Sequence, residues 1–177
     1  MSDEKNKINR EALKNLNYGM YIVTSHMDGK INGQVANTVF QVTSKPPQIA
    51  AAISKVNLTH QYISQSNVYT VNALAETAPM DFFGPYGFRS GRVIDKFEGV
   101  PHKMGQNNCP ILTEHVVAAL EVRVVQEIDV GSHTLFIGEV TNTEIFNEGV
   151  PMSYRYYREN IKGMTPVDSP TYIPPEE

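Results

Sequence analysis

The chain has 177 residues, 41% hydrophobic and 19% charged, with a formal net charge of -4 and a pI of about 5.7. That balance suits one globular domain able to bury a real core and excludes a disordered chain. It also excludes a nucleic-acid binder, which needs a basic face for the phosphates, while leaving room for a local basic pocket.

The first residues, Met1 to Arg10, are polar and lack the apolar stretch of a secretory leader. No apolar run approaches the ~20 residues that span a bilayer. A cytoplasmic protein is expected, with no membrane contact. Ile8, Ala12, Leu13 and Leu16 fall at helical spacing, and Gly19 marks the end of that helix. Tyr18 to Ser25 reads as a strand, His26 to Lys30 as a turn carrying the hairpin signal Asp28-Gly29, and Gly33 to Val42 as a second strand. Lys45-Pro46-Pro47 breaks it. Gln48 to Ile53 is a continuous apolar strand, expected to be buried on both faces.

Asn57 to Gln65 has helical spacing with Asn57 as N-cap, and Val68 to Leu74 alternates as a strand. Met80 to Lys103 is rich in glycine and aromatics, has no clean period, and reads as a long loop with a short helix. Val116 to Ile128 is a long strand, Asp129 to Ser132 a turn, and His133 to Thr143 the return strand. After Tyr157 the pattern is lost, and Thr165 to Glu177 holds four prolines, as a tail or linker would. The expected division is an N-terminal helical segment at 1–17, a barrel domain at 18–157 and a tail at 158–177.

Many strands, few short helices, no βαβ rhythm and no repeat give a mainly β fold, an antiparallel barrel with Greek-key connections. The lone Cys109 can form no intramolecular disulfide and no Cys-rich metal cluster. His26, His60, His102 and His115 show no metal-ligand spacing, so no metal is expected. There is no Gly-x-Ser-x-Gly, no P-loop and no Gly-x-Gly-x-x-Gly, so a dinucleotide would not bind here through a Rossmann unit.

Four stretches, taken in order, carry a resemblance: Gly33 to Val42 (GQVANTVFQV), Ser54 to His60 (SKVNLTH), Ser90 to Phe97 (SGRVIDKF) and Gly131 to Val140 (GSHTLFIGEV). Together they resemble the flavin reductase-like family, whose members share an FMN-binding split barrel. Within it the likeness is greatest to the flavoprotein domain of high-molecular-weight rubredoxins and to flavoredoxin-like relatives. It spans about Tyr18 to Val150, and Tyr157 to Tyr172 is similar to the linker that precedes rubredoxin there. No Cys-x-x-Cys pair follows it in this sequence, which leaves the electron acceptor open.

The resemblance implies FMN as cofactor and NADH or NADPH as electron donor. FMN needs positive charge and donors for its phosphate, and a flat slot with backbone donors along one edge of its ring. Ser54, Lys55, Asn57 and Thr59 match the family's phosphate stretch, ahead of a helix whose free N–H groups point the same way. Read without the resemblance, the same stretch is an ordinary strand-to-helix turn. Gln34, Val35, Ala36, Asn37, Thr38 and Val39 match the ring-binding strand, where small side chains allow close approach and donors tune the flavin. Asn is disfavoured in strands, which tilts that stretch toward function.

His133, placed in the catalytic set, matches a histidine beside the family's nicotinamide site, where it would orient the donor rather than act as acid or base. Phe83 and Arg92 lie in the Phe82 to Phe97 stretch, whose aromatics are ring cover or core, and whose basic residues are phosphate ligands or a solvated face. The implied activity is hydride transfer from NAD(P)H to flavin in a homodimer, with electrons passed to a flavin, a metal or a protein such as a rubredoxin. The rival is an FMN electron carrier that serves a redox partner and oxidises nicotinamides poorly.

Overall fold

The computed structural model describes residues 8–146 and 148–174. The parts of the N-terminal segment and of the tail at 1–7 and 175–177 lie outside the described residues. The N-terminal helix is one short 3₁₀ element, Arg10–Asn15, with no buried residue. Ile8, Leu13 and Leu16 stay exposed, because six residues are too few to hold a helix without a surface to pack on.

Strands β1 (Tyr21–Met27) and β2 (Lys30–Ala36) form the expected hairpin. Asp28 and Gly29 both take positive φ, 52° and 75°, as a tight two-residue turn between right-twisted strands demands. The expected single strand from Gly33 to Val42 is a correction. It breaks at Asn37-Thr38, and β3 (Val39–Ser44) begins beyond the break. Strand β4 (Pro47–Ser54) follows, then α1 (Leu58–Ser66), β5 (Val68–Leu74) and α2 (Met80–Phe88). The loop expected from Met80 to Lys103 thus opens with a helix. It ends in a small hairpin of β6 (His102–Met104) and β7 (Pro110–Leu112) that periodicity did not reveal. The long pair is β8 (Val116–Asp129) and β9 (His133–Ile145), and α3 (Tyr154–Glu159) is the last helix. No helix among the described residues is long and apolar enough to cross a membrane.

Among the described residues, seven strands form one antiparallel sheet in the order β2-β1-β5-β8-β9-β4-β3. The two edge strands, β2 and β3, are consecutive in the chain. The chain passes from one edge to the other through Asn37 and Thr38, and the Ala52 N–H donates to the Thr38 carbonyl at 3.0 Å. Register shifts in the β8–β9 ladder bend the sheet on itself. The result is a mainly β split barrel of the expected class.

The strands carry apolar residues on both faces because both are covered. Val23, Ile53, Tyr69, Val71, Val122 and Phe136 fill the barrel with Ile63 of α1. Their neighbours Ile22 and Leu74 point the other way, with Phe83 and Tyr86 of α2, Phe97, Leu112 and Tyr157. The β6–β7 hairpin is fixed to the sheet by buried polar bonds. Thr24 Oγ1 donates to the Pro110 carbonyl at 2.6 Å, and the Leu112 N–H donates to Asn72 Oδ1 at 2.9 Å.

Candidate functional site

A cavity of about 590 Å³ opens between β2, the β4–α1 turn, α2, the loop 89–92 and the segment 164–170. Its size lies within the ~300–1,000 Å³ of small-molecule sites. The floor is β2. Asn32, Gln34 and Ala36 share one face by the two-residue period of a strand. Asn37 continues the lining where the strand ends.

At one end of the cavity Ser54, Asn57 and Thr59 surround the start of α1. Asn57 holds the N-cap position, as expected, but its side chain makes no capping bond. The N-terminus of α1 therefore keeps free donors and its positive dipole end. Thr59 Oγ1 accepts from Asn32 Nδ2 at 2.8 Å, which locks helix to strand beneath the cavity. Gly91 closes this corner, where a Cβ would collide with Asn32 Oδ1. Arg92 reaches over it, and its guanidinium donates to the Val56 carbonyl at 3.3 Å.

Arg89, Arg92 and Lys96 line the cavity against one carboxylate, Asp168. Lys96 is almost fully buried. Its ammonium donates to the Gly33 carbonyl at 2.8 Å and to the Tyr86 carbonyl at 3.4 Å. Burial holds its pKa down, at about 8. A buried cation whose bonds run to carbonyls rather than to a carboxylate prepares the site for an anion.

Two further atoms ask for a ligand. Among the described residues, Gln34 Oε1 and Tyr86 Oη are buried without a hydrogen-bond partner, and both residues line the cavity. Such orphans are rare in folded chains and costly. FMN suits this donor set: its phosphate matches the α1 end with Arg92, and its ring carries an N–H for an orphaned acceptor such as Gln34 Oε1.

The structure brings together Gln34, Val35, Ala36, Asn37, Ser54, Asn57, Thr59, Phe83 and Arg92 of the expected set. Phe83 is also core, 1% exposed and edge-on to Tyr157. Four expected residues lie outside the lining. Lys55 turns away and pairs with Asp129 at 2.6 Å on the surface. Thr38 bonds Asn37, and Val39 is buried inside the barrel. His133 sits behind the cavity, with Nδ1 at 2.8 Å from Ser132 Oγ and Nε2 at 3.2 Å from the Asp168 carbonyl.

Sequence reasoning missed Asn32, Gly91 and the segment 164–170 as site residues, and left Arg89 and Lys96 open between phosphate ligands and a solvated face. Lys96 and Gly91 stand inside the SGRVIDKF stretch, yet nothing in the spacing marks them as inward. The segment 164–170 has no period at all, so only its folding back reveals it.

The comparisons with known proteins decide the family. Residues 13–165 match the family described as "Flavin reductase like domain". The chain belongs to this family. It is 44% identical over 162 residues to the high molecular weight rubredoxin of Moorella thermoacetica, covering 92% of this chain and 71% of that protein. It is also 44% identical over 163 residues to the ferric-chelate reductase (NAD(P)H) of Archaeoglobus fulgidus, covering 92% of this chain and 96% of that protein. Among solved structures, an FMN-binding protein from Thermus thermophilus with bound p-hydroxybenzaldehyde superimposes with a TM-score of 0.68 at 24% identity. That match covers 74% of this chain and 73% of the other and speaks to the fold.

Proposed function

We propose that this chain is an FMN-dependent oxidoreductase that takes electrons from NADH or NADPH and passes them to a flavin, metal or protein acceptor. One observation carries the reading. A single cavity joins an anion-binding end, with α1 uncapped beside Arg92, to a strand floor bearing an orphaned buried acceptor at Gln34. A flavin mononucleotide has that division in its own structure. The NAD(P)H-dependent ferric-chelate reductase, matched over nearly its whole length, supports the reaction class.

Bound FMN supplies the redox chemistry, accepting a hydride from the nicotinamide and releasing electrons onward. The chain's residues bind and orient. Ser54, Asn57, Thr59 and Arg92 would hold the phosphate, with Arg89 as a second cation. Gln34, Val35, Ala36 and Asn37 would meet the ring, where close backbone approach replaces water with fixed dipoles. Lys96 puts a buried positive charge under the site, which favours negative charge on the cofactor. We also read the protein as a cytoplasmic homodimer. Phe40 and Val42 stand exposed on the edge strand β3, an apolar edge that a second copy would cover.

Anaerobic stopped-flow absorbance tests the reaction. Mixing the FMN-loaded chain with NADH, and separately with NADPH, should bleach the oxidised flavin band within the turnover time of the enzyme. Flavin that binds and stays oxidised with both donors overturns the reductase reading and leaves an electron carrier. The likeness to a rubredoxin-named protein favours that second reading and points to a rubredoxin-like redox partner.

A further inference from the structure

We infer that residues 164–171 form a displaceable strap that retains FMN as a resident group and limits the nicotinamide's access to it. The inference rests on the reading of the cavity as a flavin site. Met164, Thr165, Pro166, Val167, Asp168, Ser169 and Pro170 supply one wall of the cavity. Most of that wall lies beyond the family match, which ends at residue 165. It stands outside the part of the chain that defines the family.

The strap has no strand or helix of its own and folds through two turns, with the Ser169 N–H donating to the Pro166 carbonyl and the Tyr172 N–H to the Ser169 carbonyl. It is tied down by side chains from three elements. Tyr157 of α3 donates to the Met164 carbonyl at 2.7 Å, and Tyr154 bonds Thr165. Asn37, at the end of the floor strand, donates from Nδ2 to Thr171 Oγ1 at 2.6 Å. His133 meets the Asp168 carbonyl from behind. Gly163 lets the chain turn over the Tyr157 ring, since a Cβ there would overlap it.

These ties are polar and few, and the strap buries little apolar surface, with Met164 73% and Val167 68% exposed. A segment so held opens at low cost compared with the laddered strands beneath it. The strap walls one side of the cavity, so lifting it widens the approach to the floor. Asn37 would touch both the ring and the strap, and cofactor binding and closure are thereby coupled.

Three proteins decide the matter: the full chain, a chain ending at Gly163, and the full chain carrying Thr165→Val and Thr171→Val. Each is loaded with FMN and diluted, and the return of free FMN fluorescence gives the release rate. Loss of two hydrogen bonds should speed release roughly tenfold in the double variant, and more in the shortened chain. Both should also bleach faster with NADH at low donor concentration. Hydrogen exchange at 166–172 in the full chain should slow when FMN is added. Release rates within about twofold of the full chain in both variants, a difference too small for a lost wall, overturn the strap. If the shortened chain does not fold, the release rate of the double variant alone supports or overturns the strap. A full chain that fails to quench FMN fluorescence at all overturns the flavin reading, and the strap falls with it.

Discussion

The floor and the cover of the cavity are built from different kinds of contact. The floor is strand, helix and barrel: β2 and β4 are laddered to β1 and β9, and α1 sits on Ile63 and Tyr62, both buried. The cover is a turn-rich segment tied by a few side-chain bonds and exposing its apolar residues. The difference separates two jobs. On the proposed reading, the laddered floor selects the anionic, planar ligand and the lightly tied cover governs entry of the second reactant.

Phe136→Ala should be the most damaging change to the floor. It empties the centre of the barrel, where Phe136 is fully buried, and should cost about 3–5 kcal/mol. Urea unfolding with FMN absent would show it, while the chain ending at Gly163 should unfold almost as the full chain does. Equal losses in the two would erase the distinction between floor and cover.

Next comes Arg92→Ala, which removes a cation from the anion end. FMN affinity should drop roughly 10- to 100-fold, the value of a hydrogen bond to a charged group. Fluorescence titration measures it, and an unchanged affinity would move the phosphate elsewhere.

Lys96 gives a smaller, pH-dependent effect. Its folded pKa of about 8 lies below its ordinary 10.5, so between those values the unfolded chain binds more protons. Stability of the FMN-free protein should therefore rise with pH across that window. FMN affinity should move the opposite way, weakening as the ammonium loses its proton. In Lys96→Met both trends should flatten, and trends that persist in the variant belong to another group.

The smallest effect is expected at Lys55. Its partner Asp129 also accepts the Gly131 N–H at 2.8 Å, and the Lys55 bond holds the Asp129 pKa down. Lys55→Ala should leave FMN affinity within about twofold, the loss expected from a screened surface charge. A loss as large as that of Arg92→Ala would place the true anion end outside this cavity.

Much of this was legible in the residues. Asp28-Gly29 marks its hairpin locally, and the run from Gln48 to Ile53 shows burial on two faces. Ser54, Asn57 and Thr59 are marked by the resemblance, since on their own they read as an ordinary strand-to-helix turn. What could not be read depends on distant parts. The orientation of Lys55 is set by Asp129, far along the chain, and Lys96 turns inward because Gly33 and Tyr86 offer carbonyls there. The break at Asn37-Thr38 follows from strand order, which periodicity does not encode. The strap owes its place to single bonds from Asn37, Tyr154 and Tyr157, invisible in a segment of prolines and small polar residues.

The passage from β2 to β3 runs through Asn37 and Thr38, and makes Asn37 both part of the seam of the barrel and the edge of the cavity. An inserted residue there would leave the β3–β4 register to the turn at Ser44–Pro47 and would move Asn37 off the end of the floor. The strap would lose its Asn37–Thr171 bond in the same step. New specificity in this architecture has to come by exchanging side chains in place, or by rebuilding the cover.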